Sequence, residues 1–211
     1  MNPLGLTMIL AMTFGQANPT EVTPKLEAAY AKSIAHERQR QYADAIKALT
    51  DLGAAEKNTY FTQIRLGWLN YQNAKYDEAK IAYEAALQLI PKSTEAKLGL
   101  VLVVLAQARY AEAEMMCQEV LVQDPGNYYA NLRLAFALRN QLKFDQAEVI
   151  NNLMMERYPT DVSVLLEAGL VKVGQKNKVA ADEIFRRVLL LDAENAIANQ
   201  QLGRVSKKKA G

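Results

Sequence analysis

The sequence predicts an all-α fold in which pairs of helices stack along one direction. Laying the chain over itself at one constant shift aligns five alanines without an insertion or deletion: Ala45, Ala79, Ala113, Ala147 and Ala181. Polar residues that can cap a helix N-terminus recur with the same period, and a short polar segment interrupts the apolar pattern about thirteen residues after each of them. Each period therefore contains two helices, and the short turn between them makes the helices antiparallel neighbours.

Five units of equal length divide most of the chain. Their bounds are 26–59, 60–93, 94–127, 128–161 and 162–195, and residues 196–211 follow as a capping helix with a basic tail. Each unit ends in a residue suited to cap the next helix: Thr59, Ser93, Asn127, Asp161 and Asn195. The spacing predicts eleven helices between Leu26 and about Ser206, the last of which closes the core with a polar outer face.

Aromatic residues and prolines recur in phase with the alanines. A ring stands three residues before the alanine in the first four units, at Tyr42, Tyr76, Tyr110 and Phe144, and Lys178 takes that place in the fifth. Pro91, Pro125 and Pro159 stand twelve residues after the alanine in the middle units. This pattern resembles the tetratricopeptide repeat, a helix-turn-helix unit of about 34 residues. The resemblance implies a right-handed superhelical solenoid with a C-terminal capping helix.

Two columns of residues mark places where helices approach closely. The alanine column is one of them, and its small side chain is repeated in every unit. The second column reads Ser33, Gly67, Val101, Ala135, Gly169 and Gly203, in which only Val101 is bulky. We expect both columns to lie at the contacts within and between units, because small side chains let helices come close together.

The first seventeen residues have the pattern of a secretory signal peptide. They contain no charged side chain, and an apolar run from Leu4 to Phe14 ends in Gly15-Gln16-Ala17. The run is roughly half of the ~20 residues that a membrane-spanning helix needs, so we expect no transmembrane segment. The chain is therefore expected to be periplasmic or secreted, with residues 18–25 as a linker. A cytoplasmic location is the alternative, because no Lys or Arg precedes the run.

Composition and motifs exclude several classes of function. The chain has one Cys and one His, so neither a disulfide framework nor a Cys/His metal site is expected. Without the last sixteen residues, 21 basic residues face 23 acidic ones, so a nucleic-acid-binding surface is not implied. No phosphate-binding loop or nucleophile with an adjacent base is present. We expect no catalysis, no cofactor and no bound metal.

The resemblance implies a concave groove lined by the first helix of each unit. Residues at repeat positions 2, 5, 9 and 12, counted from the start of a unit, would face it, with neighbouring arginines at its edges. The candidate binding residues are Tyr30, Ile34, Phe61, Ile64, Arg65, Trp68, Tyr71, Tyr129, Arg133, Phe136 and Arg139. Exposed rings beside Arg are typical of binding hot spots. The alternative is that the next unit covers part of this surface, above all at Leu98, Leu102 and Leu105.

Two classes of function remain open on the sequence alone. The first is a scaffold or adaptor that holds an apolar or aromatic peptide or helix of a protein partner in the groove. The second is a structural subunit whose apolar middle unit is used for self-association. A subgroup of tetratricopeptide repeats grips a C-terminal carboxylate with Lys at position 5 and Asn at position 9. Those positions hold Tyr30 and Ile34 in the first unit, and the next two units lack the pair as well, so this activity is not expected.

Overall fold

The computed structural model describes residues 22–203, and within this range the chain forms twelve helices and no strand. The helices are α1 (Pro24–Arg38), α2 (Tyr42–Thr50), α3 (Ala54–Lys57), α4 (Tyr60–Gln72), α5 (Tyr76–Leu89), α6 (Thr94–Ala106), α7 (Tyr110–Gln123), α8 (Tyr128–Asn140), α9 (Phe144–Arg157), α10 (Val162–Gly174), α11 (Lys178–Leu191) and α12 (Ala196–Gln201).

The helices stack in the order of the chain. We call the first helix of each unit helix A (α1, α4, α6, α8 and α10) and the second helix B (α2, α5, α7, α9 and α11). Each helix A packs against helix B of its own unit, each helix B from α5 onward packs against the next helix A, and α12 packs on α11. Successive A helices also contact each other directly, as α4, α6, α8 and α10 do. The prediction of an all-α solenoid is confirmed.

The predicted N-caps act as expected at every unit boundary. The side chains of Thr59, Ser93, Asn127, Asp161 and Asn195 each accept a hydrogen bond from a backbone N–H in the first turn of the following helix. Each bond satisfies one of the N–H groups that have no partner inside the helix. The first helix differs, because Thr23 caps it and it begins at Pro24, inside the segment expected to be a linker.

The turns between helices A and B repeat one backbone conformation. Arg40, Ala74, Ala108, Leu142 and Lys176 all have φ between 56° and 62°, and each stands at the same position of its unit. The backbone N–H that follows bonds back across the turn, as from Lys75 to the carbonyl of Asn70 at 2.9 Å. This left-handed conformation usually falls to Gly or Asn. Because none of the five residues is either, the sequence indicated the position of the turn but not its left-handed conformation.

The prediction of eleven helices is wrong, because the first unit contains a third helix. Its helix B ends at Thr50, whereas helix B runs for 14 residues in each later unit. Gly53, a poor residue for a helix interior, follows, and the short α3 fills the remaining length before Thr59. Leu52 is buried in the core between the two segments and holds the break in place.

The alanine column is a packing contact throughout. All five of its members have at most 2% of their surface exposed. The second column behaves in the same way from Ser33 to Gly169, which are all buried. The expectation for Gly203 is wrong. Helix α12 ends at Gln201, and Gly203 is exposed with φ of 67°. A Cβ added at Gly203 would have no atom within 4 Å, so no close helix contact exists there.

The bulky Val101 is accommodated by a small residue opposite it. Large rings at repeat position 24 pack on the glycines at position 8, as Tyr83 packs on Gly67 and Phe185 on Gly169. In the third unit position 24 holds Cys117, which lies in one core cluster with Val101. In the third unit the larger side chain is therefore on helix A, at Val101, and the smaller one is on helix B, at Cys117, so that the space between the two helices remains filled.

Candidate functional site

Two adjoining cavities lie across the A helices, and we refer to them together as the groove. The first has a volume of about 630 Å³ and is bounded mainly by α4, α6 and α8. The second has a volume of about 560 Å³ and is bounded by α6, α8 and α10, with one residue each from α4 and α12. Leu102, Tyr129 and Arg133 line both cavities. The shared wall makes the groove one continuous feature.

The first cavity combines exposed aromatic rings with one acid. Ile64 and Trp68 on α4 face Leu98 and Leu102 on α6, and Glu95 lies at the start of α6. Trp68 is held by its indole N–H, which donates to Oε1 of Glu37 at 2.8 Å. The indole is nevertheless 37% exposed. A large ring that is oriented from one side and open on the other is suited to contact a partner.

The second cavity is lined mainly by apolar side chains. Leucine is the commonest residue of its wall, contributed by three helices: Leu102, Leu105, Leu132, Leu166 and Leu170. Phe136 lies among them with its ring centroid 6.2 Å from that of Tyr110. Ile197 of α12 also lines the wall, so the capping helix contributes to the groove. This side of the groove can bury apolar groups of a ligand.

The three arginines of the candidate set lie in different electrostatic surroundings. Arg65 donates to Glu37 at 2.9 Å, and Arg139 donates to both carboxylate oxygens of Glu167 at 2.6 and 3.2 Å. Arg133 donates instead to the backbone carbonyl of Leu98 at 2.7 Å. Burial lowers the pKa of Arg133, although a guanidinium keeps its charge at neutral pH.

The structure brings seven of the eleven candidate residues to the groove. These are Ile64, Trp68, Tyr71, Tyr129, Arg133, Phe136 and Arg139. The other four, Tyr30, Ile34, Phe61 and Arg65, line neither cavity.

Each of these four outlying residues has its own surroundings. Tyr30 donates its hydroxyl to Thr62, and Arg65 is committed to Glu37 and Ser33. Phe61 is 62% exposed and Ile34 is 38% exposed, so both belong to the surface beside the groove. The groove is therefore centred on the second to fifth units.

Several groove residues were not among the sequence candidates. Glu95, Leu166 and Glu167 lie on A helices, and the repeat positions they occupy were available from the sequence. Tyr83 lies on a helix B and reaches the first cavity because Gly67 and Gly99 leave room for its ring. That reach depends on the glycines of two different helices, which periodicity alone does not identify.

The chain's single Cys is buried in the core, and its single His contacts a neighbouring glutamine. Cys117 is fully buried, and burial raises the pKa of its thiol to about 12. His36 contacts the side-chain oxygen of Gln41 through Nδ1 at 2.9 Å. Within residues 22–203 no group of three or more metal-ligating side chains comes together. The helices of that part of the chain are also too short or too polar for a membrane span.

Comparisons with known proteins agree with this architecture. A family profile described as tetratricopeptide repeat matches residues 104–168. Among curated protein sequences none matches significantly. A solved structure of MamA from Desulfovibrio magneticus RS-1, covering 41 to its end, aligns with 83% of this chain and 99% of its own at 18% identity and a TM-score of 0.70.

Two further solved structures have the same fold. A tetratricopeptide repeat protein from Parabacteroides merdae ATCC 43184 is 17% identical over 85% of this chain and 72% of that one, with a TM-score of 0.70. A thermophilic repeat protein of Thermus thermophilus is 20% identical over 69% and 84%, with a TM-score of 0.62. At these identities the likeness concerns the fold. The profile match, the period of the sequence and this shared fold together support a tetratricopeptide repeat protein.

Proposed function

We propose that the chain is a non-catalytic scaffold that binds an apolar or aromatic peptide segment or helix in the groove. The coarser part of this function, interaction with proteins, follows from the tetratricopeptide repeat fold. The observation that supports the finer part is the groove itself: two continuous cavities, lined by leucines and rings, that no segment among residues 22–203 fills.

The dimensions of the groove match those of a peptide. It crosses the A helices α4, α6, α8 and α10, and neighbouring helix axes lie about 8–10 Å apart. The groove is therefore roughly 25–30 Å long, which corresponds to about eight extended residues or a helix of about eighteen. Its rings are exposed where a ligand would contact them, as Tyr129 is 58% exposed. Burying such rings is a major source of binding energy at protein interfaces.

We test the groove by removing its rings. Trp68→Ala and Tyr129→Ala each delete a side chain of a solvent-exposed residue, 37% and 58% exposed respectively, so the fold should survive, as helical circular dichroism would verify. Capture of partners from host envelope fractions, identified by mass spectrometry, should be lost with these variants. The matched control replaces Lys207, Lys208 and Lys209, which lie outside the described residues, by Ser. Partners lost with the lysines and retained with the ring deletions would refute the groove as the binding site.

We propose further that the protein acts in the cell envelope or is secreted. The support is the signal-peptide pattern of residues 1–17, which lie outside the described part of the chain. The N-terminal mass of the protein purified from its host would test this: removal of the first seventeen residues is expected. A chain that begins at Met1 and is found in the cytosol would refute export and leave the alternative cytoplasmic location.

Self-association is the alternative use of the apolar surface. It requires a stable oligomer of the purified protein, whereas the scaffold proposal permits a monomer. Size-exclusion chromatography with light scattering separates the two. Most of the apolar side chains of α6, helix A of the middle unit, are already covered within the chain, as those of Val101, Val103 and Val104 are. The composition of this helix therefore does not by itself require a second copy.

A further inference from the structure

Arg133 occupies the junction of the groove. Its side chain lines both cavities, and its guanidinium lies 5.4 Å from the centroid of the Tyr129 ring. One Nη donates to the carbonyl of Leu98. A guanidinium has five N–H donors in a planar fork that matches a carboxylate. A cation with unused donors therefore lies between the two cavities.

At two other unit boundaries, a charged side chain at the repeat position of Arg133 forms an ion pair with the preceding unit. Repeat position 12 of one unit lies against position 6 of the next, and the ion pair of Glu37 with Arg65 joins these positions between the first and second units. The pair of Arg139 with Glu167 joins them between the fourth and fifth units. Arg133 is at position 6 of the fourth unit, and position 12 of the third unit holds Leu105. The acid that would complete the pair is thus replaced by an apolar groove residue.

The carboxylates that line the groove are engaged elsewhere. Glu167 is held by Arg139 on the far side of the second cavity. Glu95 lines the first cavity and accepts the hydroxyl of Tyr60 at 3.1 Å. Among the ion pairs formed within residues 22–203, none involves Arg133.

We infer that Arg133 binds the carboxylate of an Asp or Glu side chain in the peptide that occupies the groove, and that apolar side chains on both sides of this acid fill the two cavities. The inference rests on the proposed function and adds to it the chemistry of the partner. The ligand carries a single acid within an apolar or aromatic segment. Its carboxylate forms with Arg133 the ion pair that an acid at position 12 forms in the first unit and that Leu105 cannot form.

The test selects peptides with the protein itself. A phage-displayed library of random peptides of about 12 residues, long enough to span the groove in extended form, is panned on the full chain and on Arg133→Gln. The chain should enrich an Asp or Glu flanked on both sides by leucine or aromatic residues. Arg133→Gln should enrich the same apolar residues without the acid. Arg133→Lys, which keeps the charge, and Lys92→Gln, an exposed control, should both retain it.

Affinities of the enriched peptide measure the contact directly. The peptide is synthesised with a C-terminal amide, so its side chain supplies the carboxylate, and binding is followed by the fluorescence of Trp68, the chain's single tryptophan. Replacing the peptide acid by its amide, or Arg133 by Gln, should each weaken binding about tenfold or more, and the two changes together should cost no more than one of them. Leu105→Glu should lower the affinity for the acidic peptide more than Leu105→Gln does, because the new acid competes for Arg133.

The outcomes separate the two proposals. Enriched peptides that lack an acid, or an acid that persists with Arg133→Gln, would overturn the inference and leave the groove as a peptide site. Independent, additive losses in the affinity measurements would overturn it as well. Failure to enrich any peptide, or enrichment that Trp68→Ala and Tyr129→Ala leave unchanged, would overturn the proposed function and the inference with it. Melting curves of Arg133→Gln and Arg133→Lys show whether the fold is intact in each comparison.

Discussion

Replacing Gly99 by Ala should lower the free energy of unfolding by about 1–3 kcal/mol. In the interior of an exposed helix the same change usually raises it by about 0.5–1 kcal/mol. Gly99 faces Tyr83, whose side chain is buried, and a Cβ at Gly99 would lie only 2.3 Å from Cε1 of the ring. Carbon atoms in contact are about 3.5–4.0 Å apart, so at least about 1 Å of space is missing. The sign of the effect is therefore reversed by the neighbouring ring.

The ring cannot move aside without disturbing a second helix. The ring also packs on Gly67 of α4, where a Cβ would approach Cε1 of Tyr83 to 2.7 Å. The ring of Tyr83 thus fills the space between two successive A helices. To admit a methyl group at Gly99, α4 and α6 would have to separate, which would weaken the contacts of both units.

Urea unfolding followed by far-ultraviolet circular dichroism measures the effect as a shift of the midpoint. Gly53→Ala is the matched control, because a Cβ there would make only an ordinary contact of 3.5 Å with Glu56 and its φ is −62°. This change should alter stability by about 0.5 kcal/mol or less.

A second background isolates the role of the ring. In a Tyr83→Leu chain the flat ring is gone, and Gly99→Ala should cost much less than it does in the natural chain. An unchanged or raised midpoint for Gly99→Ala alone would refute the reasoning. An equal loss in both backgrounds would show that the ring is not the obstacle.

Two substitutions and one labelling experiment test the core. Ala113→Leu should destabilise the fold by about 1–3 kcal/mol or more, because the site is fully buried in a core cluster and a larger side chain would overpack it; an unchanged thermal midpoint would contradict this. Asn151→Leu should stabilise it by about 1–2 kcal/mol, since the buried amide has no protein hydrogen-bond partner; a lower urea midpoint would count against it. At pH 9 the Cys117 thiol, whose pKa burial raises to about 12, should react with iodoacetamide far more slowly in the native than in the unfolded chain, and equal rates would refute this.

The sequence predicted best those features that depend on residues close together in the chain. Asn127 caps α8 because its side chain reaches an N–H three residues away, and such a contact needs no knowledge of neighbouring units. Ala79 could be placed in the core because the same small residue recurs at every period. The fold class follows from these two kinds of observation. Gly203 shows the limit, since periodicity continues past the point where the helix ends.

The details of the turns and of the first unit could not be predicted in this way. Ala74 and Leu142 adopt a left-handed conformation that neither residue favours, because the hydrogen bonds that close the turn and the packing of both helices outweigh the local cost of about 1–2 kcal/mol. In the first unit, helix B ends early, at Thr50, and α3 forms in a segment without a counterpart in the other units.

The groove shows the same division between local and long-range information. Rings at repeat positions 9 and 12 were expected on its surface, and Trp68, Tyr71 and Phe136 lie there. The sequence treated Arg133 and Arg139 alike, as charges at an edge. Their difference arises from contacts between residues that are far apart along the chain, at position 12 of one unit and position 6 of the next.

These inter-unit contacts determine which arginine of the groove has an acidic partner within residues 22–203. Stacking of the A helices brings positions 12 and 6 together at successive boundaries, so an acid and a base there neutralise each other, as Arg139 and Glu167 do. A unit that places Leu105 at position 12 leaves the base of the next unit without that partner and also adds apolar surface to the cavity beside it. One residue therefore changes both properties of the groove at once, and the peptide that we propose for the groove would combine an acid with apolar side chains.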